Sequence, residues 1–228
     1  MKKILPALCS LCFMIFLILA SVLITVNSRS FYTKQYEKNN TRAATGMSAA
    51  DLDRATNLLL NYLSGKRDDL NLTVNKNGVP RQVFDERETA HMVDVKALYQ
   101  NAQYALMLSW FAFVLLWAMI IKKYKAEFAH LMLSGYKFTV VLTVIMCIFL
   151  GVAFTTGFNT FWNNFHMVFF SNDLWLLDPK ISTMINMFPL PFWLSMCTRI
   201  LITFLALFIL EYVAYKVMDL QVKSRQRQ

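Results

Sequence analysis

The sequence predicts a mainly α membrane protein. It has four transmembrane helices, a small extracytoplasmic α+β cap (helix, β-hairpin, helix) and an amphipathic segment on the outer surface. Three observations carry this. Nearly uncharged runs of 19 or more residues recur along the chain, enough to cross ~30 Å of hydrocarbon at ~1.5 Å per residue. Hydrophobic residues make up 57% of the 228, and charged ones only 16%. Basic residues sit at the ends of the apolar runs, where they hold a span's cytoplasmic end. The formal charge of +9 is therefore spread over span ends and one hydrophilic segment. That distribution suits anionic lipid and excludes a nucleic-acid patch.

Each element follows in order. Lys2 and Lys3 precede Ile4–Val26, an apolar run that continues past the weak Ala20-Ser21 cleavage pattern, so residues 1–26 read as an uncleaved first span. Residues 27–102 form the cap, with eleven Lys/Arg and nine Asp/Glu between Asn27 and Asn101. Ser48 is an N-cap with Asp51 three residues on. Leu52, Ala55, Leu58, Leu59, Tyr62 and Leu63 follow at helical spacing until Gly65 stops them. The segments LNLTV and VPRQVF alternate apolar and polar about Asn77-Gly78, the pattern of a hairpin, and Pro80 confines its strand to an edge or to the strand's first residues. From Asp85 a helix restarts and feeds the second span, 103–121. A basic cytoplasmic loop, 122–137, leads to the third span, 138–158. The interfacial segment 159–191, the fourth span 192–216 and the tail 217–228 complete the chain. Lys122, Lys123 and Lys125, with Lys216, Lys223, Arg225 and Arg227, place the loop and both termini in the cytoplasm. Cys9, Cys12, Cys147 and Cys197 all fall in apolar runs, which leaves neither a disulfide framework nor a water-facing thiol.

This topology sorts the three histidines. His130 lies in the cytoplasmic loop, whereas His91 and His166 lie outside, close to the membrane surface. Glu88, His91 and Asp94 are spaced three and three, so they share one helix face. They form either a surface salt-bridge row or a histidine whose flanking carboxylates raise its pKa. Glu88-x-x-His91 is also half of a di-metal motif, but no second copy exists, so neither metal nor cofactor is expected. Asn159, Asn163 and His166 fall at i, i+4 and i+7 among Phe158, Phe161, Trp162, Phe165 and Phe169. They make a polar stripe on an aromatic cylinder lying at headgroup depth, or an aromatic belt with incidental polar groups. Asp173 and Asp178 flank Trp175, and carboxylates so near lipid need partners. No G-x-S-x-G, Gly-rich phosphate loop or His-x-x-x-His occurs. An enzyme built from these residues needs a nucleophile carried by its substrate.

Two longer patterns, FDERETAHMVDVK at Phe84–Lys96 and FHMVFFSNDLWLLDP at Phe165–Pro179, are followed by MFP at Met187–Pro189. Together they resemble the lipoprotein intramolecular transacylase family, four-span membrane proteins of Gram-positive bacteria, over nearly the whole chain. The resemblance implies transfer of the sn-2 acyl chain of a diacylglyceryl-modified lipoprotein to the α-amine of that lipoprotein's N-terminal cysteine, leaving a lyso-form product. It implies a multi-pass protein of the bacterial plasma membrane with its site on the outer face, and membrane lipids and lipoproteins as partners. The attacking amine belongs to the substrate, so the protein supplies proton transfer and charge stabilisation. On this resemblance His166 and His91 would be the catalytic pair, one a general base and the other a donor to the oxyanion or leaving oxygen, in either order. Asp173, Glu88 or Asp94 would orient the imidazoles, and Asn163 or Asn172 would donate to the oxyanion. Trp162, Phe169, Trp175 and Asp178 would bind the substrate.

Composition leaves two other readings open. One is a non-enzymatic membrane sensor or accessory subunit whose histidines respond to pH. The other is a phospholipid acyl hydrolase that uses water and releases free fatty acid.

Overall fold

A computed structural model describes residues 3–225; Lys2 and Arg227, counted above among the flanking basic groups, lie outside them. In order come α1 (Ile4–Val26), α2 (Arg29–Lys38), α3 (Thr41–Thr45), α4 (Ala49–Leu63), β1 (Thr73–Lys76), β2 (Val79–Gln82), α5 (Glu86–Tyr124), α6 (Phe128–Phe169), α7 (Thr183–Met187) and α8 (Leu190–Arg225). Among the described residues three helical stretches are long and apolar enough to cross a membrane: Ile4–Val26, Glu86–Phe169 and Leu190–Ser224. The middle stretch is α5 and α6 joined by a single 3-10 turn, Lys125–Glu127, in which Lys125 takes a φ of 37°. Residues 122–137, expected as a loop, are thus helical on both sides of three turn residues. Helix keeps their backbone polar groups paired where a long open loop would not.

The chain divides into two compact units. The first holds the chain up to Leu23, Gln103–Thr156 and the chain from Thr198 on. Cys9 of α1, Phe113 and Ile120 of α5, Phe128, Ala129 and Met132 of α6, and Tyr215 of α8 form one buried cluster. Met14, Leu17, Tyr136, Phe204 and Phe208 form another. The helices are apolar on every side, so Leu108, Phe111, Ile148 and Leu210 face outward, as lipid-covered helices require. At Gly135 an added Cβ would come within 2.4 Å of the Pro6 carbonyl oxygen. Glycine is what allows α6 to approach α1 so closely.

The second unit comprises Ile24–Ala102 and Gly157–Cys197. Ser48 caps α4 as expected, accepting from the Asp51 N–H at 3.1 Å. Leu52, Ala55, Leu58, Leu59, Tyr62 and Leu63 are buried as their spacing predicts, together with Thr56 and Leu60. The hairpin turns at Asn77 (φ 52°) and Gly78 (φ 82°), both in the left-handed region that a two-residue turn of this hand needs. Pro80 sits opposite Asn75 in a sheet that has only edges. Lys76 Nζ pins the hairpin by donating to the Gln82 and Val83 carbonyls and to Thr183 Oγ1 at 2.6 Å. Helices α2 and α3 were not legible in the sequence. Arg29–Lys38 is mostly polar, and its order comes from tertiary contacts such as the 2.6 Å hydrogen bond between Tyr36 and Thr56. In α6 the helix is broken at Gly157 (φ 160°, ψ 83°), the residue at which this unit begins its second stretch.

Candidate active site

Helix α5 starts with a reciprocal cap. Asp85 Oδ1 accepts from the Glu88 N–H, and Glu88 Oε2 accepts from the Asp85 N–H, each at 2.8 Å. This satisfies two otherwise orphaned donors and fixes the turn that leads into His91. His91 is 7% exposed and meets Phe170 edge-on at 5.2 Å. Its Nδ1 is buried with no hydrogen-bond partner among the described residues. His166, in the last turns of α6, is 8% exposed. Its Nδ1 lies 2.8 Å from the Trp162 carbonyl oxygen. Only an Nδ1–H can bond there, which leaves the lone pair on Nε2.

The two imidazoles stand 6.1 Å apart, centroid to centroid, with planes 36° from parallel. Trp175 stacks on His166 at 4.8 Å and Trp162 meets it edge-on at 4.9 Å. Trp162 in turn stacks on Trp193 at 4.5 Å and on Phe165 at 5.2 Å. Burial pushes His91 down to about 4; His166 adds to the shift and Asp94 opposes it. His166 is also lowered, by burial, against a smaller opposing effect of its bond to Trp162. The result is two neutral rings at neutral pH, one with a defined acceptor nitrogen.

This overturns the expectation that carboxylates raise the His91 pKa. Glu88 Oε1 accepts from Ser182 Oγ at 2.5 Å and from the Met184 N–H at 2.6 Å, and Oε2 is engaged with Asp85. Its charge is spent on those donors and desolvation of the imidazole dominates. Asp94 Oδ2 accepts from Asn172 Nδ2 at 2.8 Å. Asn172 also receives the Leu174 N–H on its side chain and the Trp175 indole N–H on its carbonyl, so it props Trp175. Asp173 pairs with Arg87 at 3.3 Å, and Arg87 also donates to the Asp173 and Leu176 carbonyls. Neither Glu88 nor Asp173 is free to orient a ring in this arrangement. Asp178 Oδ1 accepts from the Lys180 N–H at 2.9 Å and forms a turn, as Asp-Pro predicts.

Asn163, one turn before His166, is exposed, as are Asn159 and Phe169. The polar stripe is therefore divided: the returning loop covers His166 and leaves the asparagines open. His130 is exposed and belongs to the other unit. Sequence reasoning missed Arg87, Phe170 and Ser182. A signal existed for Ser182, the N-cap of α7, which accepts from the Ile185 N–H. Nothing in its own neighbourhood points to Glu88.

Comparison with known proteins adds to this geometry. Residues 7–193 match the model of the family described as lipoprotein intramolecular transacylase Lit. The chain is similar in fold to the in meso structure of the membrane-integral Lit from Bacillus cereus, with a TM-score of 0.80 and 23% identity, over 100% of this chain and 99% of that one. It is also similar to a form of that protein carrying a histidine-to-arginine mutation, at TM-score 0.77 and 23% identity over 100% and 95% of the two chains. A histidine-to-alanine form gives TM-score 0.77 and 22% identity over 100% and 96%. No curated protein matches the sequence.

Proposed function

The chain belongs to the lipoprotein intramolecular transacylase family, membrane-integral acyltransferases that act on lipoproteins, and from that premise we propose that His166 and His91 together carry the transfer. In this reading the substrate is a diacylglyceryl lipoprotein whose N-terminal α-amine lies beside its own sn-2 ester. An α-amine has a pKa of about 7.7–8.0, so most of it is protonated at neutral pH and must lose a proton before attack. The amine nitrogen adds to the ester carbonyl carbon and passes a proton to His166 Nε2. The oxyanion is held by an N–H of neutral His91, a donor that stays neutral because it is buried. Collapse breaks the ester C–O bond, and the glyceryl oxygen takes the proton back from His166. An amide and a free hydroxyl result, without water or an acyl-enzyme.

The observation that carries this assignment is the 6.1 Å His91–His166 pair with His166 Nδ1 committed to Trp162. Trp162, Phe165, Phe169 and Trp175 offer the acyl chains an aromatic bed. Glu88, Asp94, Asp173 and Asn172 support the site from behind the rings, and Asp178 shapes the loop.

The four-span topology is part of the same proposal. The apolar stretch Glu86–Phe169 crosses twice, turning at the basic Lys122–Lys125, with both termini cytoplasmic and the histidines on the outer face of the plasma membrane. A membrane-impermeant maleimide that labels Arg81→Cys in intact cells, and leaves Ala126→Cys unlabelled, supports it; the opposite pattern reverses it.

For the chemistry, the chain is expressed in cells without other lipoprotein N-acylation and the lipoprotein's N-terminal peptide is weighed. His166→Ala is expected to abolish the lyso-form. Full lyso-product from that variant rules out His166 as the base.

A further inference from the structure

Glu88 is 1% exposed, and the hydrogen bonds of its carboxylate go to Asp85, Ser182 and Met184. It gathers three donors from two distant stretches of chain. The Asp85 N–H comes from the start of its own helix; Ser182 Oγ and the Met184 N–H come from 94 and 96 residues further on. A buried carboxylate needs such donors, and donors so placed need the carboxylate.

The segment between Asn172 and Met184 is held differently at its two ends. Near Trp175 the tie is the Arg87–Asp173 pair, whose side chains are 44% and 76% exposed. At Ser182 and Met184 the tie is Glu88, in the interior. An exposed pair holds weakly, and a buried charge with three donors holds firmly. The fixed point of the segment that lays Trp175 on His166 is thus the residue that caps the helix bearing His91, three positions on.

We propose that Glu88 is a positioning residue for acyl transfer: one carboxylate sets both the helix start that presents His91 and the segment that keeps Trp175 against His166. This rests on the reading of the two histidines given above. Around His166 stand Trp162, Phe165 and Phe170 of its own helix and its continuation, Trp175 of the loop, and His91 of α5. The charged groups bordering them, Asp94, Arg87 and Asp173, are engaged with Asn172 and with each other.

The test is the pH profile of lyso-product formation by the full chain in membrane vesicles, with a diacylglyceryl lipopeptide as probe. Glu88→Ala is expected to slow transfer about 10²-fold, the effect of a misplacement of ~1 Å. It should also move the imidazole limb, read after correction for the substrate amine's own titration at about 7.7–8.0, up toward about 6.5, the ordinary imidazole value, as Trp175 leaves His166. Glu88→Gln, which keeps an oxygen for Ser182 and Met184 but turns an NH2 toward the Asp85 N–H, should keep the original limb while recovering only part of the rate. If Glu88→Ala does not fold, Ser182→Ala carries the test and should move the limb in the same direction. An unmoved limb in the folded variant, whatever its rate, overturns the proposal. Failure of the histidine reading is separate, because it shows as full activity of His166→Ala in the same assay.

Discussion

Trp175 lies over the His166 imidazole, ring centroids 4.8 Å apart and planes 26° from parallel. The indole N–H is tied to the Asn172 carbonyl at 3.0 Å, and the Asn172 side chain is tied to Asp94 on α5. The ring that covers one histidine is thereby braced from the helix that bears the other.

An aromatic pair of this kind contributes about 0.5–1.5 kcal/mol beyond the area it buries. Trp175→Ala should therefore slow transfer by about tenfold, since roughly 1.4 kcal/mol is a factor of ten. Trp175→Phe keeps a stacking face and should lose far less. Single-turnover formation of the lyso-lipopeptide measures both. Equal rates for the Ala variant and the parent would show that the stack plays no part.

Both histidines are lowered, His91 to about 4, and burial is the larger cause for each. In the proposed mechanism the base works unprotonated, so the rate, once corrected for protonation of the substrate's α-amine (pKa about 7.7–8.0), should hold as pH falls past about 6.5 and decline only further down, as His166 takes a proton. The same sign applies to stability. Histidines that are neutral when folded and protonate near 6.5 when unfolded give stability that is fully present above that pH. It is lost as pH falls toward about 4. Melting temperatures measured between those limits should drop on acidification. A rise would contradict the buried, neutral assignment.

The three histidines differ in reach. His130 is exposed, whereas His91 and His166 are 7% and 8% exposed. Diethyl pyrocarbonate should modify His130 first in the folded protein, with the pair reacting only after unfolding. Peptide mapping by mass at several reaction times reads the order, and early modification of His166 would mean that its cover is open at rest.

Gly135 tests the packing of α1 on α6. A Cβ there would meet the Pro6 carbonyl oxygen at 2.4 Å, which is backbone and cannot turn aside. Gly135→Ala should cost about 1–3 kcal/mol through overpacking. Thermal unfolding in detergent measures it, and an unchanged midpoint would show that the helices can part without loss.

The apolar runs, the Ser48 cap and the Asn77-Gly78 turn were legible because each is written in a few adjacent residues. His91 and His166 could be singled out because the expected topology put His130 on the other side of the membrane. The tasks of the polar neighbours could not be read, because each depends on a partner from a distant stretch. Glu88 looked like a flank for His91 three residues away, yet its charge is taken by Ser182 and Met184. Asp173 looked like an orienting group, yet Arg87 holds it. The sign of the histidine shifts was missed for the same reason: helical spacing reports which side chains share a face, but not what folds over that face.

The spacing of Glu88 from its donors Ser182 and Met184 has a consequence for synthesis. The helix bearing His91 leaves the ribosome first, and the groups that complete its carboxylate clamp follow 94 and 96 residues later. Until they arrive, His166 and Trp175 are unmade or untethered, so a half-inserted chain has no working catalyst. On the reading proposed above, lipoproteins already in the membrane are therefore out of its reach until the chain has been made as far as Met184.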